Sequence, residues 1–186
     1  MENTVNILGF AGSLRKGSHN RSILRAALEL VPEDARLEIF DLEGIALFNQ
    51  DLENQPSEKL KEFKAKIRAA DAILIATPEY NYSIPGVLKN AIDCASRPYG
   101  DNAFEHKPVA IMGATIGLMG TARAQYHLRQ CFVFLNCFPL NKPEVMVPLA
   151  HEKMNKEGEL TDQNTRERIR ELLESLVAWT KKLKGA

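Results

Sequence analysis

The sequence predicts an α/β protein built on a doubly wound parallel sheet of five strands with helices on both faces. Three observations predict it. Short apolar runs alternate with longer segments of helical period, and those runs are apolar on both faces instead of alternating. Three of the runs also end in polar loops rich in glycine, serine or proline, as strands do where a sheet meets its ligand-binding edge. A length of 186 residues with 45% apolar content fits one domain spanning residues 1–186.

The elements follow in order. Val5 to Ala11, VNILGFA, is a first strand, and Asn20 to Val31 carries Ile23, Leu24, Ala27, Leu28 and Val31 at helical spacing. Leu37 to Phe40 reads as a short second strand, followed by a polar, irregular stretch from Asp41 to Pro56. Ser57 to Ala70 puts Leu60, Phe63, Ile67 and Ala70 on one helical face with lysines opposite. Ala72 to Thr77 is an apolar strand stopped by Pro78, and Gly86 to Ala95 is helical. Val109 to Ala114 is a fourth buried strand, and Thr121 to Leu135 is a helix for which Thr121 is the expected cap. Pro139 to Val147 supplies the last strand, and Thr161 to Leu183 repeats Ile169, Leu172, Leu173, Leu176, Val177 and Leu183 as an amphipathic closing helix. The resulting sheet is of the flavodoxin type.

Charge and cysteine content narrow the class of function. Twenty-four basic residues balance twenty-four acidic ones, so no net field draws the chain to nucleic acid or to an anionic membrane. No apolar run approaches the roughly 18 residues a membrane helix needs. Cys94, Cys131 and Cys137 are odd in number, share no C-x-x-C spacing and follow no signal-like start, which favours packing roles in a reducing, cytoplasmic setting.

In such sheets a ligand sits beyond the carboxyl ends of the strands near the switch in strand order, which singles out three loops. In GFAGSLRKGSHNRS, Gly12 and Gly17 keep the interval of a nucleotide-triphosphate loop, but Ser18 and His19 replace its Lys-Ser/Thr pair. There is also no G-x-G-x-x-G. What remains is Ser13, Arg15, Ser18 and Asn20 before a helix N-terminus, a set suited to a terminal phosphate monoester. An ordinary Ser/Gly turn with Asn20 as helix cap is the bland alternative. In the second loop Glu79, Tyr80, Asn81, Tyr82 and Ser83 stand between Pro78 and Pro85, polar and aromatic groups able to line a planar heterocycle or simply to cover the end of the core. The third, GATIGLMGTARAQYHLR, has Gly113, Gly117 and Gly120 before a helix, for backbone access to a ligand or for turns of positive φ.

GSLRKGSHNR, PEYNYSIPGVLKNAID and GTARAQYHLR, in this order and spacing, resemble the NAD(P)H-dependent FMN reductases, most closely the soluble quinone and chromate reductases among them. The resemblance spans nearly the whole chain. It implies a flavodoxin-like fold, noncovalent FMN and a homodimer or homotetramer. It implies the FMN phosphate on Ser13, Arg15, Ser18 and Asn20, and the ribityl chain and ring system against Pro78, Glu79, Tyr80, Asn81, Ser83 and the loop of Thr115, Gly117 and Gly120. Relatives often carry proline where Ala46 stands before LFNQDLE, and Leu118 and Met119 occupy positions where substrate-facing residues vary.

The activity this implies is a ping-pong passage of two electrons from NAD(P)H through FMN to a quinone or a related acceptor such as chromate, an azo compound or free flavin. The flavin carries that chemistry, and no catalytic side chain is required. Two rivals stand beside it: a non-enzymatic FMN carrier or redox sensor, and a hydrolase or transferase using Glu79 as nucleophile or base. HEKMN at His151 lacks the second histidine of a zinc protease motif, so no metal is expected. Asp93 and Arg129 are expected at subunit contacts, and Trp179 as a packing or surface aromatic.

Overall fold

A computed structural model describes residues 4–185. Six parallel strands form one sheet: β1 (Val5–Ala11), β2 (Ala35–Phe40), β3 (Ala72–Ala76), β4 (Pro108–Ala114), β5 (Phe138–Pro139) and β6 (Val145–Val147). Their order is β2-β1-β3-β4-β5, with β6 also on β4. The expected last strand, 139–147, is therefore two short strands on the same neighbour. The break falls on residues 140–144, where Pro143 offers no N–H to a ladder.

Helices α1 (His19–Leu30), α2 (Glu58–Ala69), α3 (Gly86–Ala95), α4 (Ala122–Phe134) and α5 (Gln163–Lys184) cover both faces. Successive strand residues point to opposite sides, and two cores result. Ile7, Leu74 and Met112 pack with Ile23, Leu24 and Ala27 of α1 and Leu172, Leu173 and Leu176 of α5. Leu8, Phe10, Ile73, Ile75 and Ile111 pack with Phe63 of α2, Leu88 and Ile92 of α3, and Leu128 and Phe132 of α4. Phe63 anchors the second core, stacked on Phe40 at 4.9 Å and edge-on to Phe10 at 5.3 Å. Each such pair adds about 0.5–1.5 kcal/mol beyond the area it buries.

The helix boundaries follow local chemistry, with two corrections. Ser18, not Asn20, caps α1 by accepting from the Arg21 N–H, and Ser57 does the same for α2. Thr121 does not cap α4: its φ of 69° is left-handed and its hydroxyl accepts instead from Gln125 Nε2 at 3.1 Å. A carboxylate from another loop takes that place, as shown below. Trp179 is half-buried and donates to the Phe138 carbonyl at 3.3 Å, tying α5 to β5. Cys94 and Cys137 are buried, and burial pushes the Cys137 thiol up to about 12. No helix among the described residues is long and apolar enough to cross a membrane.

Asp162 caps α5, accepting from the Thr165 hydroxyl at 2.5 Å and the Thr165 N–H at 2.9 Å, with Lys153 Nζ at 3.2 Å. The Thr165 hydroxyl and amide, ahead of Lys153, hold its carboxyl below the usual range. The carboxylate is thus stabilising above the ordinary aspartate range, and the contribution is lost as pH falls through the lowered folded-state value. Asp162→Ala should reduce stability by about 1 kcal/mol at neutral pH. In urea titrations the gap from wild type should close as the pH is lowered into the acid range.

Candidate functional site

The three loops meet at the carboxyl edge of the sheet, and the switch in strand order lies between β1 and β3, whose partners diverge to β2 and β4. Gly12 donates to the Ala76 carbonyl at 2.8 Å and Thr77 to the Met112 carbonyl at 2.9 Å, so the loops leave the strands in register.

The loop after β1 wraps the start of α1. The N–H groups of Leu14, Arg15, Lys16, Gly17, His19 and Asn20 have no acceptor among the described residues. Nor does the exposed Arg15 guanidinium pair with any described carboxylate. Arg15 and His151 both face His19. Its imidazole is held below the ordinary value, first by burial and then by the electrostatic effect of Arg15 and of His151. Ser13 and Ser18 are buried at 5% and 3% exposure. This donor set, with a helix N-terminus behind it, fits a phosphate monoester.

Asn20 is engaged elsewhere. Its side chain is buried, donates Nδ2–H to the Ala114 carbonyl and accepts the Ala114 N–H, both at 2.9 Å. It therefore ties α1 to the end of β4, and only its backbone N–H faces outward to the loop.

The loop after β3 holds a tight reversal in which Tyr80 and Ser83 exchange backbone bonds of 3.2 and 3.0 Å. Asn81 and Tyr82 sit at φ 49° and 64°, the left-handed pair such a turn requires and one that a bulky residue such as tyrosine adopts only under strain. Pro78 lends its carbonyl to the Thr77 hydroxyl, and Ser83 Oγ lies 3.0 Å from His127 Nδ1. Glu79 is the missing cap of α4. It accepts from the N–H groups of Arg123 at 3.0 Å and Ala124 at 3.2 Å, and from Arg123 Nε at 2.6 Å. With all of these donors on one carboxylate, Glu79 is a bridge between two loops. The sequence did not reveal this, because the partners lie 44 residues apart.

The loop after β4 is stitched to the chain beyond β6: Thr115 donates to Val147 at 3.0 Å and accepts from Ala150 at 2.9 Å, and Gly117 accepts from Leu149 at 3.2 Å. Gly120 is present for packing, since its φ is +56° and a Cβ there would lie 2.7 Å from Met146 Cβ. Gly117 is less constrained: a Cβ there would meet only the Thr115 hydroxyl, at an ordinary 3.8 Å. Glu79, Asn81, Tyr82, Thr115, Gly117, Leu118, Met119, Thr121 and Arg123 together line a cavity of about 350 Å³.

Residues 5–152 match the family model for NADPH-dependent FMN reductases. The chain belongs to that family. It is 50% identical to an NAD(P)H-dependent FMN reductase of Pseudomonas aeruginosa, with all of both chains aligned. It is 43% identical to an NAD(P)H:quinone oxidoreductase of Solanum tuberosum over 97% of this chain and 95% of the relative. A solved flavoenzyme NAD(P)H:(acceptor) oxidoreductase of Paracoccus denitrificans superimposes with a TM-score of 0.87 at 31% identity, over 96% of this chain and 98% of that one. As a member of the family, the reductase is an enzyme of NAD(P)H and FMN with a flavodoxin-like fold.

The buried Asn20 amide is a structural tie of this reductase, so Asn20→Ala should lose both bonds to Ala114 and strand a buried N–H, at a cost of about 1–3 kcal/mol. The urea midpoint at constant slope measures it.

Proposed function

We propose that the whole chain acts as one FMN-binding domain that passes electrons from NAD(P)H to a quinone by a ping-pong cycle. The observation that carries this reading is the loop after β1: its row of N–H groups and the Arg15 guanidinium lie beside a helix N-terminus at the switch point. Bound FMN would supply the hydride chemistry, and the chain's own residues bind, orient and exclude water.

Arg15, Ser13, Ser18 and the loop N–H groups hold the phosphate, with Asn20 contributing through its backbone N–H and by fixing the helix start. Pro78, Tyr80, Asn81 and Ser83 form one wall of the ring site, and Thr115, Gly117 and Gly120 the other, while the Glu79 carboxylate, engaged by Arg123 and the first N–H groups of α4, braces the first wall without contacting the ring. Both NAD(P)H and the quinone enter the 350 Å³ cavity in turn. Relatives named as quinone reductases favour that acceptor, with chromate, azo compounds and free flavin as further candidates.

A homodimer or homotetramer is part of the proposal. Val133 and Phe134 at the end of α4 are 81% and 76% exposed, adjacent apolar side chains that a second copy would cover. Asp93 pairs with Lys89 of its own helix and Arg129 donates to the Leu140 carbonyl at 2.9 Å, placing both near that surface with hydrogen-bonding capacity to spare. Three cysteines without disulfides suit a reducing cytoplasm.

An anaerobic visible spectrum tests the cycle. NADPH should bleach the flavin bands of the FMN-loaded protein, and a quinone should restore them. A flavin that NADPH does not reduce would favour a carrier or sensor. Arg15→Ala should raise the FMN Kd about 10- to 100-fold, the loss of a charge-assisted hydrogen bond, and fluorescence titration measures it.

A further inference from the structure

Glu79 is only 8% exposed at its side chain, yet it lines the 350 Å³ cavity and joins the loop after β3 to the first turn of α4. Its two oxygens are consumed by Arg123 and by the first turn of α4: Oε1 takes Arg123 Nε at 2.6 Å and Nη2 at 2.5 Å, and Oε2 takes the Arg123 and Ala124 N–H groups. The carboxylate therefore has no free lone-pair direction for a nucleophilic or basic role. Held in this way, the Arg123 guanidinium lies over the Tyr82 ring, its carbon 3.7 Å from the ring centroid. Tyr82 is 67% exposed and its backbone is in the left-handed region, so neither burial nor backbone preference holds the ring in place. The stack on Arg123 does.

We propose that Glu79 is a positioning residue that acts through Arg123 to fix Tyr82 as a rigid aromatic surface for a planar electron acceptor in the cavity. The chain of contacts runs from a buried carboxylate to a half-exposed guanidinium to an exposed ring, and each step immobilises the next. An ordered ring pays less entropy on stacking than one free to rotate. The charge is arranged to match: the ion pair is neutral, so the cavity wall presents an aromatic face to a neutral quinone instead of an unpaired cation. The sequence neighbours Asn81 and Ser83 are held by the turn itself and by His127, so the only ring the latch governs is that of Tyr82.

This rests on the quinone reading, and the test separates the two. The FMN-loaded protein is reduced with dithionite, then mixed in a stopped-flow instrument with increasing benzoquinone, which takes two electrons and two protons to the hydroquinone. Glu79→Gln keeps an acceptor for the α4 N–H groups but removes the charge that holds Arg123. It should raise the quinone concentration for half-maximal reoxidation about tenfold, with the limiting rate and the FMN Kd within about twofold of wild type. Tyr82→Leu should do the same. The double variant should be no worse than the larger single effect, because both changes break one chain of contacts.

An unchanged half-saturation in Glu79→Gln, whatever its melting temperature, would overturn the proposal. So would effects that multiply in the double variant, or a weakened FMN Kd accompanying the change, which would put Glu79 on the flavin instead. If quinone fails to reoxidise the reduced wild-type protein, the acceptor assignment falls, and with it the role given to Tyr82.

Discussion

The buried amide of Asn20 joins the first helix to the far strand of the site, and the geometry of the whole carboxyl edge depends on that join. Its donor and acceptor both meet Ala114 at 2.9 Å, 94 residues away in sequence. A parallel sheet orders its strands by their backbone ladders, but the ladders stop at the strand ends, where the loops would otherwise diverge. A buried, fully satisfied polar pair at that point fixes position more sharply than apolar contact does, because any displacement leaves groups unpaired out of water.

The tight packing beneath it has the same consequence. A Cβ on Gly113 would lie 1.8 Å from Thr121 Oγ1 and 2.6 Å from the Thr77 carbonyl, so β4, the loop after β3 and the start of α4 approach as closely as backbones allow. Thr121 is held in its left-handed conformation at that crossing and is unavailable as a cap. Glu79 fills the role from across the cleft. The same carboxylate that completes a helix also decides where Arg123 lies, so a folding requirement and the shape of the site are met by one side chain.

Electrostatics around the site are local. The chain as a whole is neutral, yet Arg15, Lys16 and His19 gather at the first loop while the α4 end of the cleft is neutralised by Glu79. At this edge the N-terminus of α4 is closed by Glu79, whereas that of α1 keeps N–H groups without an acceptor among the described residues. An anionic phosphate and a neutral planar ring thus have separate, chemically matched ends of one cleft.

Most of the architecture was legible in the sequence because it depends on local patterns. Apolar runs at Val5–Ala11 and Ala72–Ala76, the break at Pro78 and the periodicity of α2, α3 and α5 each report on neighbours within a few residues, and the structure keeps them to within about two residues. The split of the last strand was not legible from the apolar residues at 138–140 and 145–147 alone; it falls on the polar stretch 141–144, with Pro143, between them. The choice of Ser18 over Asn20 as cap was not legible either, since both residues suit the position and only burial against Ala114 decides between them. The sequence by itself thus determined the strand–helix alternation, the doubly wound class and the three loops at one edge. Only the tertiary structure decided which side chains in those loops face a ligand, because Asn20 and Glu79 are occupied by partners 94 and 44 residues away and Thr121 is held left-handed against Gly113, and no local pattern encodes distant pairings.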